Sequence, residues 1–383
     1  MATASKKQKQ NPFALKYLKA LGENASIVSE GTIYDNREFV NTGCLLLNAQ
    51  ISKSIYNGIP THKIITLAGE ESTGKTFVLL GILKNFLEQT ENGMVVFFES
   101  EGAVNKETFE ERGLDTTRII LKSVKTVEEF RHISTTFVKN YTLDKPEERP
   151  KILMCLDSLG MLPSAKEVKD AEEGNDKSDM TRPKIIKSLF RILTVELAVA
   201  NIPFIVTNHV YATMDMYGKP EMGGGSGLKY AGSTILFFGK SQFKEKDEET
   251  KKDEHAGITV TSTTIKGRDT RINKKVKFVI HADYGLDKYS GLFDFCKDHG
   301  MIDKTGNRWY WKSEGIDTAM FKKQIDSKPS EFFTKTRLDE IDTFCQSYFG
   351  YGKGDLESMK SKISVLLSPS DWLSLPPTVM MSW

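Results

Sequence analysis

Short, almost continuous apolar runs recur along the chain and alternate with segments of helical periodicity. The runs are HKIITLAG, MVVFFES, KILMCLDS, IPFIVTN, STILFFGK and KVKFVIHAD. Such runs are typical of strands that are buried on both faces of a sheet. Between them, TFVLLGILKNFLEQ and RPKIIKSLFRILTVELAVAN carry apolar residues at helical spacing. The alternation predicts an α/β fold with a mainly parallel, doubly wound sheet.

The composition narrows the class of protein. The chain has 383 residues, of which 39% are hydrophobic and 27% charged, and its net charge is +2. No stretch approaches the roughly 18 apolar residues of a membrane span, and the polar start MATASKKQKQNPF does not resemble a secretory signal. The cysteines lie far apart without a Cys-x-x-Cys pair, which argues against a zinc or redox motif. We therefore expect a cytosolic (cytoplasmic) protein with no membrane partner.

Changes of pattern divide the chain into three predicted parts. Residues 1–34 are mostly polar and are interpreted as an N-terminal arm. Residues 35–295 contain the alternating strands and helices and are predicted to form the main domain. After that, the strand pattern fades into aromatic and helical patches such as GNRWYW and LDEIDTFCQSYFG. Residues 296–383 are therefore predicted to be a small C-terminal region.

The segment GEESTGKT lies between the first apolar run and the first helical pattern, and it has the spacing of a P-loop. In a P-loop the backbone N–H groups surround phosphate oxygens, and the helix that follows directs its positive end at them. The lysine reaches the outer phosphates, and the threonine hydroxyl binds Mg²⁺. The residues predicted to bind the nucleotide are Gly69, Glu70, Glu71, Ser72, Thr73, Gly74, Lys75 and Thr76.

Acidic and polar residues at the ends of other predicted strands are candidates for the remaining chemistry. Asp157 ends KILMCLDS and is predicted to complete the nucleotide and Mg²⁺ site as the Walker B acid, although such a residue could also cap a helix. Glu99 and Glu101 both follow MVVFF, and their spacing alone does not decide which one faces the nucleotide. Asn208 and His209 could sense the γ-phosphate, although a single histidine is more often structural.

Two further segments have a side-chain composition that suits binding, but their apolar residues follow neither helical nor strand periodicity. HVYATMDMYGKPEMGGGSGLKYAG combines aromatic, methionine, lysine and glycine residues, which suits either single-stranded nucleic acid or a mobile substrate lid. IKGRDTRINKKVK is strongly basic. Its side chains could neutralise a nucleic-acid backbone, reach the phosphates of a neighbouring subunit, or belong to a solvated hairpin.

These motifs together resemble the RecA-type homologous recombinases, and especially the branch of T-even-like bacteriophages. The resemblance extends over about residues 35–311 and passes through stretches such as FFESEGA, LDSLGMLPSAKE, SDMTRPKIIKSLFRILT and DYGLDKYSGLFD. Several of the matching stretches are specific to the phage branch. It implies a RecA-like P-loop NTPase core that uses ATP and Mg²⁺, with an oligomerisation element in the N-terminal arm.

The resemblance also implies an activity and partners. The chain would be a DNA-dependent ATPase that forms a helical filament with itself on single-stranded DNA, pairs it with double-stranded DNA and exchanges strands. This activity serves recombination, repair and recombination-dependent replication. A phage single-strand-binding protein and a recombination mediator are expected as further partners. A hexameric RecA-fold DNA helicase and a non-catalytic recombination regulator are the competing hypotheses.

The family pattern also assigns roles to individual residues. It makes Glu101 the catalytic glutamate and His209 the γ-phosphate sensor, and Lys266 and Arg268 would reach the ATP of the neighbouring subunit. Two DNA-binding loops correspond to about residues 172–181 and 210–227. The DNA-binding residues predicted in and beside these loops are Lys177, Arg182, Tyr211, Met214, Met216, Tyr217, Lys219, Met222, Gly223, Gly224, Gly225 and Lys229.

Overall fold

The computed structural model describes residues 17–18, 20–21, 27–28, 38–175, 180–211, 221–224, 226–246 and 253–352. Its strands are, in chain order, β1 (Phe39–Val40), β2 (Ile59–Pro60), β3 (Ile64–Gly69), β4 (Gly93–Glu99), β5 (Ile119–Ser123), β6 (Lys151–Asp157), β7 (Phe204–Tyr211), β8 (Glu221–Met222), β9 (Thr234–Lys246), β10 (Asp253–Gly267), β11 (Lys275–His281), β12 (Gly285–Leu286), β13 (Ile302–Thr305), β14 (Arg308–Trp311) and β15 (Met320–Phe321).

The α-helices are likewise numbered along the chain. They are α1 (Leu45–Ser52), α2 (Lys75–Gln89), α3 (Lys106–Glu111), α4 (Val127–Tyr141), α5 (Ala165–Glu172), α6 (Arg182–Ala200), α7 (Ser226–Ala231), α8 (Leu292–Asp298), α9 (Lys322–Ser327), α10 (Pro329–Phe332) and α11 (Lys335–Phe349). Short 3₁₀ turns lie at Thr116–Arg118, Pro146–Glu148 and Ile316–Thr318. Within the described part of the chain, no helix is long and apolar enough to cross a membrane.

One large sheet organises the molecule. Its strand order is β12, β11, β10, β9, β3, β7, β6, β4, β5, and β8 is attached to β7. Neighbours from β9 to β5 run parallel, whereas β9 to β12 form an antiparallel extension. The predicted apolar runs correspond to β3, β4, β6, β7, β9 and β11. The α/β fold with a mainly parallel, doubly wound sheet is therefore confirmed.

Helices cover both faces of this sheet, and each face has its own hydrophobic cluster. On one face, α1 and α2 pack with residues that follow β12, and the cluster includes Leu46, Val78 and Trp311. On the other face, α4, α6 and α7 supply Phe130, Phe190 and Leu228. Helices on both faces explain why the central strands are apolar along their whole length.

The C-terminal elements differ from the sequence expectation in one respect. Strands β13, β14 and β15 form a small antiparallel sheet where the sequence pattern predicted no strands. Residues from both sides of position 296 contribute to one hydrophobic cluster, among them Leu292, Trp311 and Phe349. The division of the chain at 34 and 295 stays a prediction.

The end of α11 contacts the turn between β10 and β11. The backbone N–H of Arg271 donates to the carbonyl of Phe349 at 2.7 Å. The hydroxyl of Tyr351 donates to the carbonyl of Gly267 at 3.1 Å. The C-terminal region is thus hydrogen-bonded to the basic turn that the sequence singles out.

Candidate nucleotide site

The register of the parallel strands brings several of the predicted site residues to one edge of the sheet. Gly69 at the end of β3 lies beside His209 of β7, and Glu99 at the end of β4 lies beside Asp157 of β6. The carboxyl ends of parallel strands are where doubly wound proteins bind ligands. Residues that are far apart in sequence therefore meet at this edge.

The predicted P-loop connects β3 to α2. Gly74 is the N-cap of α2 and has a left-handed backbone with φ of 84°, which favours glycine. At Gly69 an added Cβ would lie 2.7 Å from the carbonyl oxygen of Phe238. Both glycines of the motif are therefore required by the backbone geometry. The first N–H groups of α2 have no acceptor within the helix, as is general for helix N-termini, and such groups can bind phosphate.

Lys75 lies inside the loop. Its Nζ donates to the carbonyls of Gly69 at 3.0 Å and Glu70 at 2.8 Å. Burial is the largest influence and lowers the pKa of Lys75, while the charges of Glu101 and Asp157 oppose this change. The ammonium group is thus partly desolvated, and a phosphate would interact with it strongly because few water molecules screen it.

Thr76 and Asp157 form a pair of oxygen donors beside the loop. The hydroxyl of Thr76 donates to Oδ2 of Asp157 at 2.7 Å, and the hydroxyl of Thr207 donates to the other carboxylate oxygen. Burial raises the pKa of Asp157, although the bonds from Thr207 and Thr76 lower it. A hydroxyl and a carboxylate side by side are the hard oxygen ligands that Mg²⁺ prefers.

The two glutamates after β4 have different surroundings. Glu99 is buried, and its Oε1 accepts the backbone N–H groups of Glu101 at 2.8 Å and Ala103 at 3.0 Å. Glu101 instead faces the edge of the site, where its Oε1 accepts from the hydroxyl of Ser158 and lies 2.9 Å from Nε2 of His209. Glu99 therefore holds the loop, and Glu101 lies beside the sensor candidate.

The surroundings of Glu101 favour its charged form. Burial is the largest single influence and would raise the pKa. The hydrogen bonds from Ser158 and His209, together with the charges of His209 and Lys75, nevertheless hold the pKa of Glu101 below its ordinary value. Glu101 is therefore a carboxylate near neutral pH, as a group that accepts a proton from water must be.

His209 joins this carboxylate to the second predicted loop. Its carbonyl accepts the backbone N–H of Gly223 at 3.0 Å, and the buried Asn208 amide donates to the carbonyl of Gly223 at 2.8 Å. Strand β8 then continues the pairing, with Tyr211 opposite Glu221. The base of the second loop is therefore fixed to the strand that carries His209.

The structure locates only some of the predicted DNA-binding residues. Tyr211 and Lys229 are exposed, whereas Met222 and Gly223 are half-buried and Gly224 is buried. Arg182 donates to backbone carbonyls instead of facing the solvent. The predicted residues that lie outside the described part of the chain are Lys177, Met214, Met216, Tyr217, Lys219 and Gly225.

Lys266 and Arg268 lie away from the P-loop of their own chain. Lys266 of β10 pairs with Ile235 of β9, which in turn lies beside Thr66 of β3. The P-loop begins at Gly69, which is three residues further along β3. The separation is three residues along the strands, or roughly 10 Å. The Lys266 ammonium donates to the carbonyls of Lys229 and Tyr230 at 2.8 Å each, at the C-terminal end of α7. Arg268 is 3.4 Å from the same Tyr230 carbonyl.

Several residues of the site were not singled out by the sequence patterns. Ser158 and Thr207 each hold a carboxylate, and the Lys240 ammonium donates to the carbonyl of Glu71 at 3.0 Å. Ser158 follows Asp157 directly and Thr207 precedes Asn208, so both could have been found as hydroxyl residues at strand ends. Lys240 ends the run STILFFGK, and its position on the strand next to β3 is the corresponding signal.

Comparisons with known proteins identify the family of this chain. A family model described as the RecA N-terminal domain matches residues 13–287. The chain is 32% identical over 277 residues to the recombination and repair protein of Enterobacteria phage T4, covering 72% of this chain and 68% of that protein. It is 25% identical to Protein RecA of Treponema denticola, covering 82% of this chain and 69% of that protein. It is also 26% identical to Protein RecA of Paracoccus denitrificans, covering 79% and 81%. The chain therefore belongs to the RecA family.

Proposed function

We propose that this chain is an ATP-dependent recombinase that assembles as a filament on single-stranded DNA, pairs it with homologous double-stranded DNA and exchanges the strands. The observation that carries the proposal is the hydrogen-bonded connection from Glu101 through His209 to the base of the second loop at Gly223. Such a connection would allow the state of a nucleotide to alter a DNA-binding loop. Membership of the RecA family supports the same activity.

The residues of the P-loop edge fit ATP with Mg²⁺. The backbone N–H groups at the start of α2 and the Lys75 ammonium would bind the phosphates, and Thr76 and Asp157 would hold the metal. The described residues contain no group of three or more His, Cys, Asp or Glu side chains that could hold a metal without the nucleotide. A P-loop site of this kind therefore takes its remaining ligands from phosphate and water. When bound, Mg²⁺ neutralises charge on the phosphates.

Hydrolysis would use the carboxylate of Glu101. Its charged form can orient a water molecule and accept its proton, while Ser158 and His209 hold the side chain in place. His209 would detect the outer phosphate because it lies beside Gly69 in the sheet and contacts Glu101. Loss of that phosphate would change the contacts of His209 and, through Gly223, the second loop.

Lys266 and Arg268 are proposed to act on the ATP of a neighbouring subunit. The register of the strands supports this role, because it places Lys266 roughly 10 Å along the sheet from its own P-loop. Lys266→Ala and Arg268→Ala, made separately, should each abolish DNA-stimulated ATP hydrolysis but leave nucleotide binding by an isolated subunit intact. Unchanged turnover in both variants would refute this role.

Electron microscopy with a non-hydrolysable ATP analogue tests the function directly. We expect helical filaments when single-stranded DNA is present, and joint molecules when homologous duplex is then added together with ATP. Closed rings that unwind a forked duplex without joint molecules would instead indicate a helicase. Absence of DNA-stimulated phosphate release would indicate a regulator. The single-strand-binding protein and the recombination mediator stay predictions.

A further inference from the structure

The turn that follows the Walker B strand contacts both sides of the site. We call residues 158–162 the post-β6 turn. The Ser158 hydroxyl donates to Glu101, and the backbone N–H of Leu159 donates to the carbonyl of Thr207 at 3.1 Å. At Gly160 an added Cβ would lie 3.0 Å from Oδ1 of Asn208 and 3.2 Å from Cδ2 of His209. A shift of this turn would therefore move the groups around Glu101 and His209.

The same turn also lies against the second loop. An added Cβ on Gly223 would lie 3.7 Å from the Cα of Gly160, and one on Gly224 would lie 3.5 Å from Leu159. Leu159 and Leu162 are fully or almost fully buried. The post-β6 turn is thus held between the catalytic carboxylate and the base of the second loop.

Arg182 fixes this turn from the other side. Its Nε donates to the carbonyl of Leu162 at 2.7 Å, and its Nη2 donates to the carbonyls of Gly160 at 3.1 Å and Leu159 at 3.3 Å. The Glu167 carboxylate lies 3.8 Å from Nε, and the Arg182 side chain is only 18% exposed. Arg182 is the first residue of α6, directly after the first predicted DNA-binding loop.

This bonding needs the shape of a guanidinium group and not only its charge. A planar fork can donate to several carbonyls of one turn at the same time, whereas a lysine ammonium on a flexible stem cannot hold them in the same geometry. One edge of the Arg182 guanidinium is already occupied by the turn. It is therefore poorly placed to bind a DNA phosphate as well.

We propose that Arg182 is a positioning residue that fixes the post-β6 turn to the end of the first loop, and that it does not contact DNA. Through Gly160 and Ser158 it keeps His209 and Glu101 in place when the first loop engages DNA. This inference rests on the proposed function, because it gives Arg182 a part in the coupling between DNA binding and ATP hydrolysis. It replaces the DNA-binding role that was predicted for this residue from its place beside the first loop.

The variants Arg182→Lys and Arg182→Met separate the two roles. If Arg182 positions the turn, both variants should lower DNA-stimulated turnover roughly ten- to hundredfold, because the fork of carbonyl bonds is lost in each. The concentration of single-stranded DNA that gives half-maximal stimulation should stay unchanged. The salt dependence of DNA binding, measured with a non-hydrolysable ATP analogue, should stay unchanged too.

A phosphate contact would give the opposite pattern. Arg182→Lys would then behave like the unaltered protein, and Arg182→Met would weaken DNA binding and reduce its salt slope by about 0.7. That result would overturn the inference. Arg191→Lys is the matched control, since Arg191 is exposed on the same helix and should tolerate the same exchange. Nucleotide-binding stoichiometry measures the folded fraction of each preparation.

A second variant tests the turn without altering Arg182. Gly160→Ala places a methyl group against Asn208 and His209, so it should also lower stimulated turnover while DNA affinity is preserved. Combined with Arg182→Lys, its effect should be less than additive, because both changes act on one turn. Full additivity, or normal turnover in Gly160→Ala, would contradict the inference.

The same assays separate a failure of this inference from a failure of the proposed function. If the unaltered protein shows no DNA-stimulated ATP hydrolysis, the proposed function fails. If the unaltered protein shows DNA-stimulated hydrolysis and Arg182→Lys has the same turnover, only the role of Arg182 fails.

Discussion

The two glutamates after β4 allow a sharp test, because the same substitution should have different consequences at each. Glu101→Gln keeps the size and one acceptor oxygen of the side chain, but the amide cannot take a proton from water. Positioned proton transfer typically contributes 10²- to 10⁴-fold to a rate, so we expect DNA-stimulated turnover to fall by about that factor. Nucleotide affinity should change little, because the P-loop residues that bind the phosphates are untouched.

Glu99→Gln should mainly reduce the stability of the fold, because it weakens the two hydrogen bonds that this side chain accepts. The Glu99 carboxylate accepts backbone N–H groups at 2.8 Å and 3.0 Å. Hydrogen bonds to a charged acceptor contribute more than neutral ones, so an amide oxygen in that place should lower the free energy of unfolding by about 1–2 kcal/mol. Turnover should remain within a few-fold of normal, since the bonds of Glu99 are made to the backbone of the loop that follows β4.

Steady-state ATP hydrolysis with saturating single-stranded DNA measures the first effect, and urea unfolding measures the second. Binding of a fluorescent ATP analogue provides the control for an intact P-loop. The reasoning is refuted if Glu101→Gln hydrolyses ATP at the normal rate, or if Glu99→Gln loses activity as completely as Glu101→Gln while remaining folded.

Three further outcomes follow from the site and the core. Thr207→Val removes a bond that lowers the pKa of Asp157. This carboxyl group should then be protonated at higher pH, so the Mg²⁺ concentration needed for half-maximal turnover should increase, most at acidic pH and least at alkaline pH. Lys240→Ala removes a cation beside the P-loop and should weaken ATP binding roughly two- to tenfold at low salt and less at high salt, as measured by titration. Phe130→Ala empties a fully buried position between two aromatic rings. It should lower the free energy of unfolding by about 3–5 kcal/mol, whereas Ile192→Ala on the exposed face of α6 should change it by less than about 0.5 kcal/mol in the same denaturant titration.

The central strands could be predicted because burial on both faces of a sheet requires a continuous apolar run. Such a run can be recognised in the sequence without knowing which strands are neighbours. Continuous apolar runs mark β3, β4, β6 and β7, and their carboxyl ends must then lie at one edge. Strand β10 carries no such signal. It belongs to the antiparallel extension and alternates threonine and serine with apolar residues, so its sequence GITVTSTTIKG is not an apolar run.

The P-loop part of the candidate site could be predicted, because a local sequence motif determines its backbone. Contacts between residues that are distant in sequence could not be predicted, because only the folded structure brings them together. The P-loop residues follow from the glycine spacing, which the left-handed Gly74 explains. The choice between Glu99 and Glu101 did not follow from strand alternation, because β4 ends at Glu99 and the chain then turns. The bonds of Arg182 join it to carbonyls about twenty residues earlier in the chain, and only the packing of α6 against the post-β6 turn brings them together.

The contacts between the end of α11 and the basic turn affect how shortened versions of this protein should be interpreted. Removing the chain from Phe349 onward would delete the carbonyl that accepts from Arg271 and the hydroxyl that donates to Gly267. The segment that carries Lys266 and Arg268 would then lose two of its supports. Such a truncation would also remove the buried Phe349 ring from the core. Weak ATP hydrolysis by the shortened protein would therefore be explained by a loosened basic turn and a damaged core, and would not by itself assign a regulatory task to the residues that were removed.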